Sequence, residues 1–388
     1  MNCFATFALG ISVSTQALEE EALKQFNDCC SKDFVVQAAL MPDAHTGYVA
    51  PIGAVIKTKK VVVPSWVGYD IGCGMIAVVI SVNKNEQKII QQHAEQLFNQ
   101  VNRDIPMGAG HYNKKNRPDF MIDELCKENR KLKESTKLPK LCKTVRSRSK
   151  PNLGTLGSGN HFIEILTHDC ETWLVIHSGS RGVGHFIATH FMKAVSGKQK
   201  GYEATYAIKS PALRNEYMLY QKYCLKFALL NRLTMAIKVE KAIKSITGIE
   251  YDTMKNLWTN KNHNHCIDLG NDLYLHRKGA TSSDKGERGV IPGNMKDGCY
   301  LVEGLGNEDF LCSSSHGAGR KMSRTQAQKN VELEQFKEAM EGIVAPINSK
   351  TIDESPFVYK DVSEVMKYQK DSVKIIKLLK PIINWKGF

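Results

Sequence analysis

The chain has 388 residues, of which 42% are hydrophobic and 24% charged, and its formal net charge is +13. A chain of this length can bury a large core, and its charged fraction is typical of folded rather than disordered proteins. The excess of Lys and Arg favours a polyanionic partner such as nucleic acid, although a merely basic surface would give the same charge. The eleven cysteines are an odd number without the framework of a small disulfide-rich domain, so we expect a cytoplasmic protein with reduced thiols.

The first 21 residues contain a short apolar run, but they lack a basic n-region and a convincing cleavage site. We therefore expect no secretory signal there. The sequence contains no run of about 18 uncharged apolar residues, so we also expect no membrane-spanning segment.

Up to about residue 83, the sequence is typical of strands and tight loops, with short β-branched runs at 61–64 and 75–80. Apolar residues at helical spacing predict a helix over 85–102. The segment 112–150 is dense in Lys and Arg and poor in apolar residues. We expect an exposed helix plus loop there, which is either a solvated insertion or an RNA-contacting surface.

Strands are predicted near 161–166 and 172–177. A long amphipathic helix is predicted from about Leu213 to Ile246, starting after Pro211 and ending before Gly248. More strands are expected between 272 and 302, followed by helices at about 324–342 and 361–380. No repeat, linker or composition break divides the chain. A single mixed α/β (α+β) domain over residues 1–388 therefore fits best.

Glycines cluster beside side chains that could bind ligands. Glycine lets the backbone approach a ligand closely, and successive exposed N–H groups form concave anion sites. Several such loops, each with a metal-type side chain, predict a functional site. The loops are Gly68–Gly74, Gly157–His161, His177–Gly182 and His316–Arg320.

Five candidate metal ligands lie in or near these loops, each at or near a predicted strand end. Cys and His ligands suggest zinc, and the affinity order of divalent metals favours zinc over manganese. The residue chemistry therefore predicts a divalent metal without fixing which one. The candidates are Asp70, Cys73, His161, His177 and His263.

His316 is the candidate nucleophile. A neutral histidine can attack an electrophile, and the flanking N–H groups of Gly317, Ala318 and Gly319 with the Arg320 guanidinium could hold a phosphate. The preceding serines, including Ser315, could bind a base or sugar. A turn with a surface histidine is the alternative. Further cations in or beside the loops predict phosphates or an RNA backbone: Arg181, Lys278, Lys321 and Arg324.

Together these segments resemble the RtcB RNA ligases, in family order from about residue 40 to the end. The matching motifs are Met-Pro-Asp-Ala-His at 41–45, Val-Gly-Tyr-Asp-Ile-Gly-Cys-Gly-Met at 67–75, Leu-Gly-Ser-Gly-Asn-His-Phe-Ile-Glu at 156–164, His-Ser-Gly-Ser-Arg-Gly-Val-Gly at 177–184, His-Asn at 263–264, Arg-Lys-Gly-Ala at 277–280, Pro-Gly-Asn-Met at 292–295, Ser-His-Gly-Ala-Gly-Arg-Lys-Met-Ser-Arg at 315–324, Tyr-Lys-Asp-Val at 359–362 and Trp-Lys-Gly at 385–387.

The resemblance implies the RtcB-type α/β fold, with mixed sheets flanked by helices, and a site for two manganese ions. It implies that the five candidate ligands bind these ions, with Cys73 bridging them, and that His316 attacks the α-phosphorus of GTP. It further implies that Asn160 contacts phosphate or ribose, and that Glu164 and Lys386 recognise guanine. Nothing but the resemblance supports a role for a lysine so near the chain end.

The resemblance also implies the reaction. His316 takes GMP from GTP, an RNA 2′,3′-cyclic phosphate is opened to a 3′-phosphate that accepts the GMP, and a 5′-hydroxyl RNA end then expels it. Such chemistry serves tRNA splicing or RNA repair, and the sequence leaves the physiological RNA and any archease-type activator open.

Three alternatives remain at this stage. His265 could compete with His263 for the metal, because both flank Asn264. The protein could be a metallo-phosphoesterase that hydrolyses cyclic phosphates without joining RNA, which would need neither His316 nor Lys386. It could also be a non-catalytic RNA-binding protein on the same scaffold, although such a protein would not need these motifs intact.

Overall fold

The computed structural model describes residues 5–7, 18–113, 119–196 and 205–387. The apolar run expected not to be a signal lies mostly outside these ranges. Among the described residues, no helix is both long and apolar enough to cross a membrane.

The described strands are β1 (Ala5–Phe7), β2 (Val35–His45), β3 (Ile52–Lys59), β4 (Gly74–Ser81), β5 (Phe162–His168), β6 (Glu171–Ser178), β7 (Leu257–Asn262), β8 (Asn264–Gly270), β9 (Leu273–Lys278), β10 (Ala280–Ser282), β11 (Arg288–Pro292), β12 (Cys299–Gly304), β13 (Ser313–Ser315) and β14 (Val373–Lys386). The described α-helices are α1 (Glu20–Cys30), α2 (Lys84–Gln92), α3 (Ala94–Asp104), α4 (Asp119–Ser135), α5 (Pro139–Asn152), α6 (Arg181–Ser196), α7 (Pro211–Thr247), α8 (Arg324–Asn330), α9 (Leu333–Ala339) and α10 (Val362–Tyr368).

These strands form three sheets, with orders β1-β2-β3-β9-β8, β10-β13 and β11-β12-β14-β5-β6-β4-β7. In the seven-stranded sheet every neighbouring pair is antiparallel. Its edge strands approach each other, since the Thr259 hydroxyl on β7 donates to the Arg288 carbonyl on β11 at 3.3 Å. The sheet therefore curls almost closed. Alternate residues such as Met75, Leu166 and Val175 form an apolar cluster that excludes water from one of its faces.

The largest apolar cluster joins this sheet to the helices and includes much of α7. Pro211 occupies the first turn of α7, where its missing N–H costs nothing, and Gly248 ends the helix at φ +73°. A second cluster joins α1 to β2 and β3, with Phe26, Leu40 and Ile56 buried in it. Burial of apolar surface thus packs helices against both large sheets.

Strand direction brings the functional loops together. Because neighbouring strands alternate in direction, the starts of β4 and β5 and the ends of β6 and β7 lie at one edge of the sheet. His177 near the end of β6 pairs with Met75 on one side and Phe162 on the other. Lys386, the last residue of β14, also pairs with Phe162. Loops that are far apart in sequence therefore meet at this edge.

The mixed α/β class, the long helix and the two strands near 161–177 are confirmed. The predicted helix over 361–380 is wrong beyond Tyr368, because β14 begins at Val373 and pairs with β12 and β5. The run at 61–64 forms only an isolated bridge at Val62 and then a short 3₁₀ turn.

Four other predictions needed correction. The helix over 85–102 is two helices that meet at His93, and 324–342 likewise forms α8 and α9. The N-terminal region predicted as strands and loops also contains α1. The segment 112–150 is not simply exposed, because α4 and α5 bury apolar side chains such as Leu125 and Val145 in the main core. That one domain spans residues 1–388 stays a prediction.

Candidate active site

The five predicted metal ligands converge at the edge of the seven-stranded sheet. Cys73 Sγ lies 3.1 Å from His177 Nε2 and 3.3 Å from His161 Nε2. His177 Nε2 lies 3.3 Å from His263 Nε2, and His161 Nε2 lies 2.9 Å from Asp70 Oδ2. The donor atoms form two groups, each within 4.8 Å, and Cys73 belongs to both. This arrangement could hold two metal ions that share the thiolate.

Hydrogen bonds set the orientation of the imidazoles. His161 Nδ1 lies 3.0 Å from the Leu156 carbonyl and His177 Nδ1 lies 3.2 Å from the Asn160 carbonyl. A carbonyl accepts only from N–H, so each Nε2 carries a lone pair that faces the cluster. Burial lowers the pKa of His177 well below its ordinary value, which keeps that ring in the neutral form that metals bind.

His263, and not His265, belongs to this cluster. His265 Nε2 instead accepts from Arg277 Nη1 at 3.3 Å. His263 is held in place because its N–H donates to the Cys73 carbonyl at 2.7 Å. His263 lies at the junction between β7 and β8, whereas His265 lies within β8 beside Arg277, so only the His263 ring reaches the cluster.

The charges at the cluster suit a cation. Burial raises the pKa of Asp70, but His161 and Arg181 outweigh burial and lower it to about 2. Burial and the Asp70 carboxylate raise the pKa of Cys73 well above its ordinary value. A buried thiolate beside a carboxylate needs positive charge, which a divalent cation would supply. The donor set therefore fits a metal.

Arg232, on α7, braces the loops around the cluster. Its fully buried guanidinium donates to the Gly72 carbonyl at 3.1 Å, to the Ser178 carbonyl at 2.8 Å and to Asn262 Oδ1 at 2.8 Å. At Gly179, a Cβ would lie 2.2 Å from Asp70 Oδ1, so only glycine fits there. The motifs indicated the glycine, but no local signal indicated Arg232.

His316 follows β13 and lies beside the cluster, with its ring centroid 4.8 Å from that of His263. Its Nδ1 lies 2.7 Å from Oδ2 of Asp43, a fully buried carboxylate on β2. The same oxygen accepts from the main-chain N–H groups of His316 and Gly317, both at 3.2 Å. Burial raises the pKa of Asp43, but His316 outweighs burial, so its pKa lies below the ordinary value. Asp43 thus holds His316 as the Nδ1–H tautomer.

Beside His316 lies a cavity of about 290 Å³. Its walls include most residues predicted to bind the nucleotide: Asn160, Glu164, Gly317, Ala318, Gly319, Arg320 and Lys386. Ser315 is not among them. It is fully buried behind the wall, where its hydroxyl accepts from the Asp43 N–H at 3.4 Å.

Glu164 and Lys386 lie on neighbouring strands at the wall of this cavity, and both are buried. Burial raises the pKa of Glu164 to about 7, although Lys386 opposes the rise. Asn384 and Cys299 each donate to one of the Glu164 oxygens. Lys386 Nζ lies 5.3 Å from the centre of the Phe162 ring. A carboxylate, an ammonium and a ring face are suited to the edge and face of a purine.

Glu354 forms ion pairs with three cations of this cavity, and it was not identified as a site residue from the sequence. Its carboxylate accepts from Arg320 Nη1 at 3.2 Å, Arg324 Nη2 at 3.3 Å and Lys386 Nζ at 3.1 Å. The Tyr359 hydroxyl also donates to it, at 2.5 Å. Burial raises the pKa of Glu354, but Lys386 and Arg324 outweigh burial and lower it. It lies in no glycine-rich motif, so no sequence signal could have identified it.

A second cavity, of about 560 Å³, adjoins the first and shares Asn160, Arg324 and Lys386 with it. Arg181 and Asp70 also line it, so it reaches the metal-ligand cluster. Two cavities with cationic walls therefore meet at the candidate metal site.

The prediction that Lys278 faces a phosphate is wrong. Its ammonium group is buried and donates to the carbonyls of Tyr48 at 2.5 Å and Ala50 at 2.8 Å. Burial lowers the pKa of Lys278 to about 7. Its contacts hold the loop after β2 and not a ligand.

Comparison with known proteins identifies the family of the chain. A family model described as tRNA-splicing ligase RtcB matches residues 25–387. The RNA-splicing ligase RtcB of Escherichia coli K12 is 33% identical over 393 residues, which cover 95% of each chain. The tRNA-splicing ligase RtcB of Nanoarchaeum equitans is 29% identical, over 91% of this chain and 88% of its own. The tRNA-splicing ligase RtcB of Methanococcus maripaludis is 28% identical, over 94% of this chain and 90% of its own. The chain belongs to the RtcB family.

Proposed function

We propose that this protein is an RNA ligase that uses GTP and two manganese ions to join RNA 3′-phosphate or 2′,3′-cyclic phosphate ends to 5′-hydroxyl ends, in tRNA splicing or RNA repair. The relatives bear the names of RNA-splicing ligases. The observation that carries the proposal is the His316–Asp43 pair at the junction of the cavity and the metal-ligand cluster.

His316 is the proposed nucleophile. Because Asp43 accepts the Nδ1 proton, the Nε2 lone pair is available to attack phosphorus. Attack places positive charge on the ring, and the fully buried Asp43 carboxylate stabilises that charge without itself taking the proton. A histidine that served only a turn would not need a buried carboxylate behind it.

The cavity beside His316 is the proposed GTP site. Glu164 would accept from the guanine edge and Lys386 would donate to it, while Asn160 and the 317–320 loop would hold phosphate or ribose. The position of Ser315 behind the wall gives it a structural role in holding Asp43, and direct contact of Ser315 with the nucleotide stays a prediction.

Asp70, Cys73, His161, His177 and His263 would hold the two metal ions, with Cys73 in contact with both. When bound, the ions would neutralise charge on the phosphates. The thiolate and imidazole donors also bind zinc well, so we expect zinc to occupy the site tightly yet fail to support guanylylation.

The proposed reaction has three transfers. His316 Nε2 bonds to the α-phosphorus of GTP while the bond to pyrophosphate breaks. Water first opens a cyclic phosphate to a 3′-phosphate, whose oxygen then takes GMP as the nitrogen–phosphorus bond breaks. Finally the 5′-hydroxyl oxygen attacks the 3′-phosphate, loses its proton and expels GMP, leaving a phosphodiester.

Labelling with α-labelled GTP and manganese tests this function. We expect acid-labile label on the wild-type protein and none on His316→Ala. Adding RNA with a 3′-phosphate and RNA with a 5′-hydroxyl should remove the label and yield joined RNA. If cyclic phosphate is hydrolysed but neither label nor joined RNA forms, the protein is a phosphoesterase. If it only binds RNA, it is not an enzyme of this class.

We also propose a cytoplasmic location, which the free state of the described cysteines supports. We also propose an archease-type activator as a partner. Many turnovers of RNA joining by the purified protein without any addition would argue against such a requirement.

A further inference from the structure

The basic segment 112–150 contains two helices of different charge. Helix α4 has five acidic and four basic residues, and two of its three lysines form ion pairs along the helix, Lys127 with Glu124 at 2.6 Å and Lys131 with Glu128 at 2.8 Å. Helix α5 has five basic side chains and no acidic ones. The positive charge of the segment is therefore concentrated on α5.

The cations of α5 form a stripe, which we define as Lys140, Lys143, Arg146 and Lys150. At 100° per residue these four lie within one third of the helix circumference, and all are exposed. The opposite face buries Leu141 and Val145 in the main core. Within the described residues, no ion pair involves Lys140, Lys143 or Arg146.

The C-terminal end of α5 lies near the active site. Helix α5 ends at Asn152, and the chain then enters the loop that carries Asn160 and His161. The Arg148 guanidinium lies 4.5 Å from the centre of the Phe186 ring on α6. The first residue of α6 is Arg181, which lines the second cavity. At Gly182, the second residue of α6, an added Cβ would lie 3.8 Å from Asn152 Oδ1, so the end of α5 lies next to the start of α6 and near the cavity that reaches the metal ligands.

We propose that the α5 stripe binds the phosphodiester backbone of the RNA strand whose end enters the second cavity. The inference rests on the proposed RNA-ligase function and identifies where the strand leaves the site. The eleven residues from Lys140 to Lys150 span about 15 Å, which matches about four phosphates of one strand. Lys140, Lys143 and Arg146, which form no ion pair within the described residues, gain from phosphate contact through counterion release, whereas Lys127 and Lys131 of α4 would first lose their glutamates.

A pair of matched variants tests the proposal. The stripe variant is Lys140→Ala/Lys143→Ala/Arg146→Ala, and the control is Lys127→Ala/Arg130→Ala/Lys131→Ala on α4. Each removes two lysines and one arginine from an exposed helix surface, so net charge falls equally. Binding of a labelled 3′-phosphate RNA is measured over a series of salt concentrations, beside guanylylation and thermal unfolding.

We expect the stripe variant to bind RNA at least about fivefold more weakly at low salt, with a salt slope smaller by about two, and the α4 control to bind as wild type. Both variants should guanylylate normally. Equal RNA binding by the two variants would overturn the proposal. Unchanged RNA binding by the stripe variant would also overturn it, and would favour an acidic protein as the partner of the stripe. Absence of guanylylation and joining in the wild type would instead refute the proposed function.

Discussion

The substitution Asp43→Asn removes one charge from behind His316 and almost no volume. Oδ2 of Asp43 accepts from His316 Nδ1 at 2.7 Å and from two main-chain N–H groups at 3.2 Å. Its Oδ1 is buried and has no partner among the described residues. An asparagine oxygen could keep the neutral hydrogen bonds. It could not stabilise the positive ring that forms when His316 attacks phosphorus.

The expected magnitude follows from the distance. Two unit charges about 4 Å apart interact by about 4 kcal/mol at the effective dielectric constant of proteins. Because part of the hydrogen bonding survives in the amide, we expect the rate of guanylylation to fall by about 10²- to 10³-fold, which corresponds to about 3–4 kcal/mol. GTP affinity should change little, since Asp43 does not line the nucleotide cavity.

The assay is single-turnover formation of the protein–GMP adduct at saturating GTP, with GTP affinity measured separately. Asp28→Asn is the control, because it removes an exposed carboxylate that pairs with Lys32, just beyond the end of α1. A guanylylation rate for Asp43→Asn within about threefold of wild type would refute the role of Asp43, and so would a loss explained wholly by weaker GTP binding.

Cys73→Ser should lower manganese binding from two ions to one or none, because Cys73 belongs to both donor groups. Cys126→Ser, which changes an exposed thiol, should leave manganese binding unchanged, and equal metal content in the two variants would exclude a shared ligand. Since burial raises the pKa of Glu164 to about 7, GTP affinity should rise with pH as this carboxyl ionises near pH 7. Glu164→Gln should bind GTP weakly with a flat pH profile, and a wild-type GTP affinity that falls with pH around pH 7 would contradict this prediction. Glu354→Gln should lower the free energy of unfolding by about 3 kcal/mol and GTP affinity by about tenfold, because Lys386 loses its buried charged partner. Calorimetry measures the first and GTP titration the second, and unchanged values would contradict the role of Glu354 in holding Lys386.

The convergence of the five candidate metal ligands could be predicted from sequence because each lies in or near a glycine-rich loop at a strand end, and antiparallel neighbours bring such ends to one edge. The contact between Asp43 and His316 could not be predicted, although the motif at 41–45 that contains Asp43 resembles the family. The partner of Asp43, His316, is 273 residues away and follows a strand of a different sheet, so nothing local indicates the pair. Glu354 had no signal at all, because its cations come from separate parts of the chain.

In the fold, too, features with local sequence signals were predictable and features set by long-range pairing were not. The helix from Pro211 to Thr247 was predictable, since a proline and a glycine mark its ends. Strand β14 was mistaken for helix because Ile375, Ile376, Leu378 and Leu379 are spaced as on a helix face. Pairing with β12 and β5 determines its conformation instead, and leaves Ile375 and Ile376 exposed.

The proposed reaction is tested most directly by a single turnover without free GTP. The wild-type protein is guanylylated, freed of GTP and mixed with manganese and two RNA strands, one ending in a 3′-phosphate and one in a 5′-hydroxyl. We predict one joined strand and one released GMP for each adduct, and no joining by His316→Ala treated in the same way. An adduct that persists with the RNA present, or joining by His316→Ala, would contradict the account.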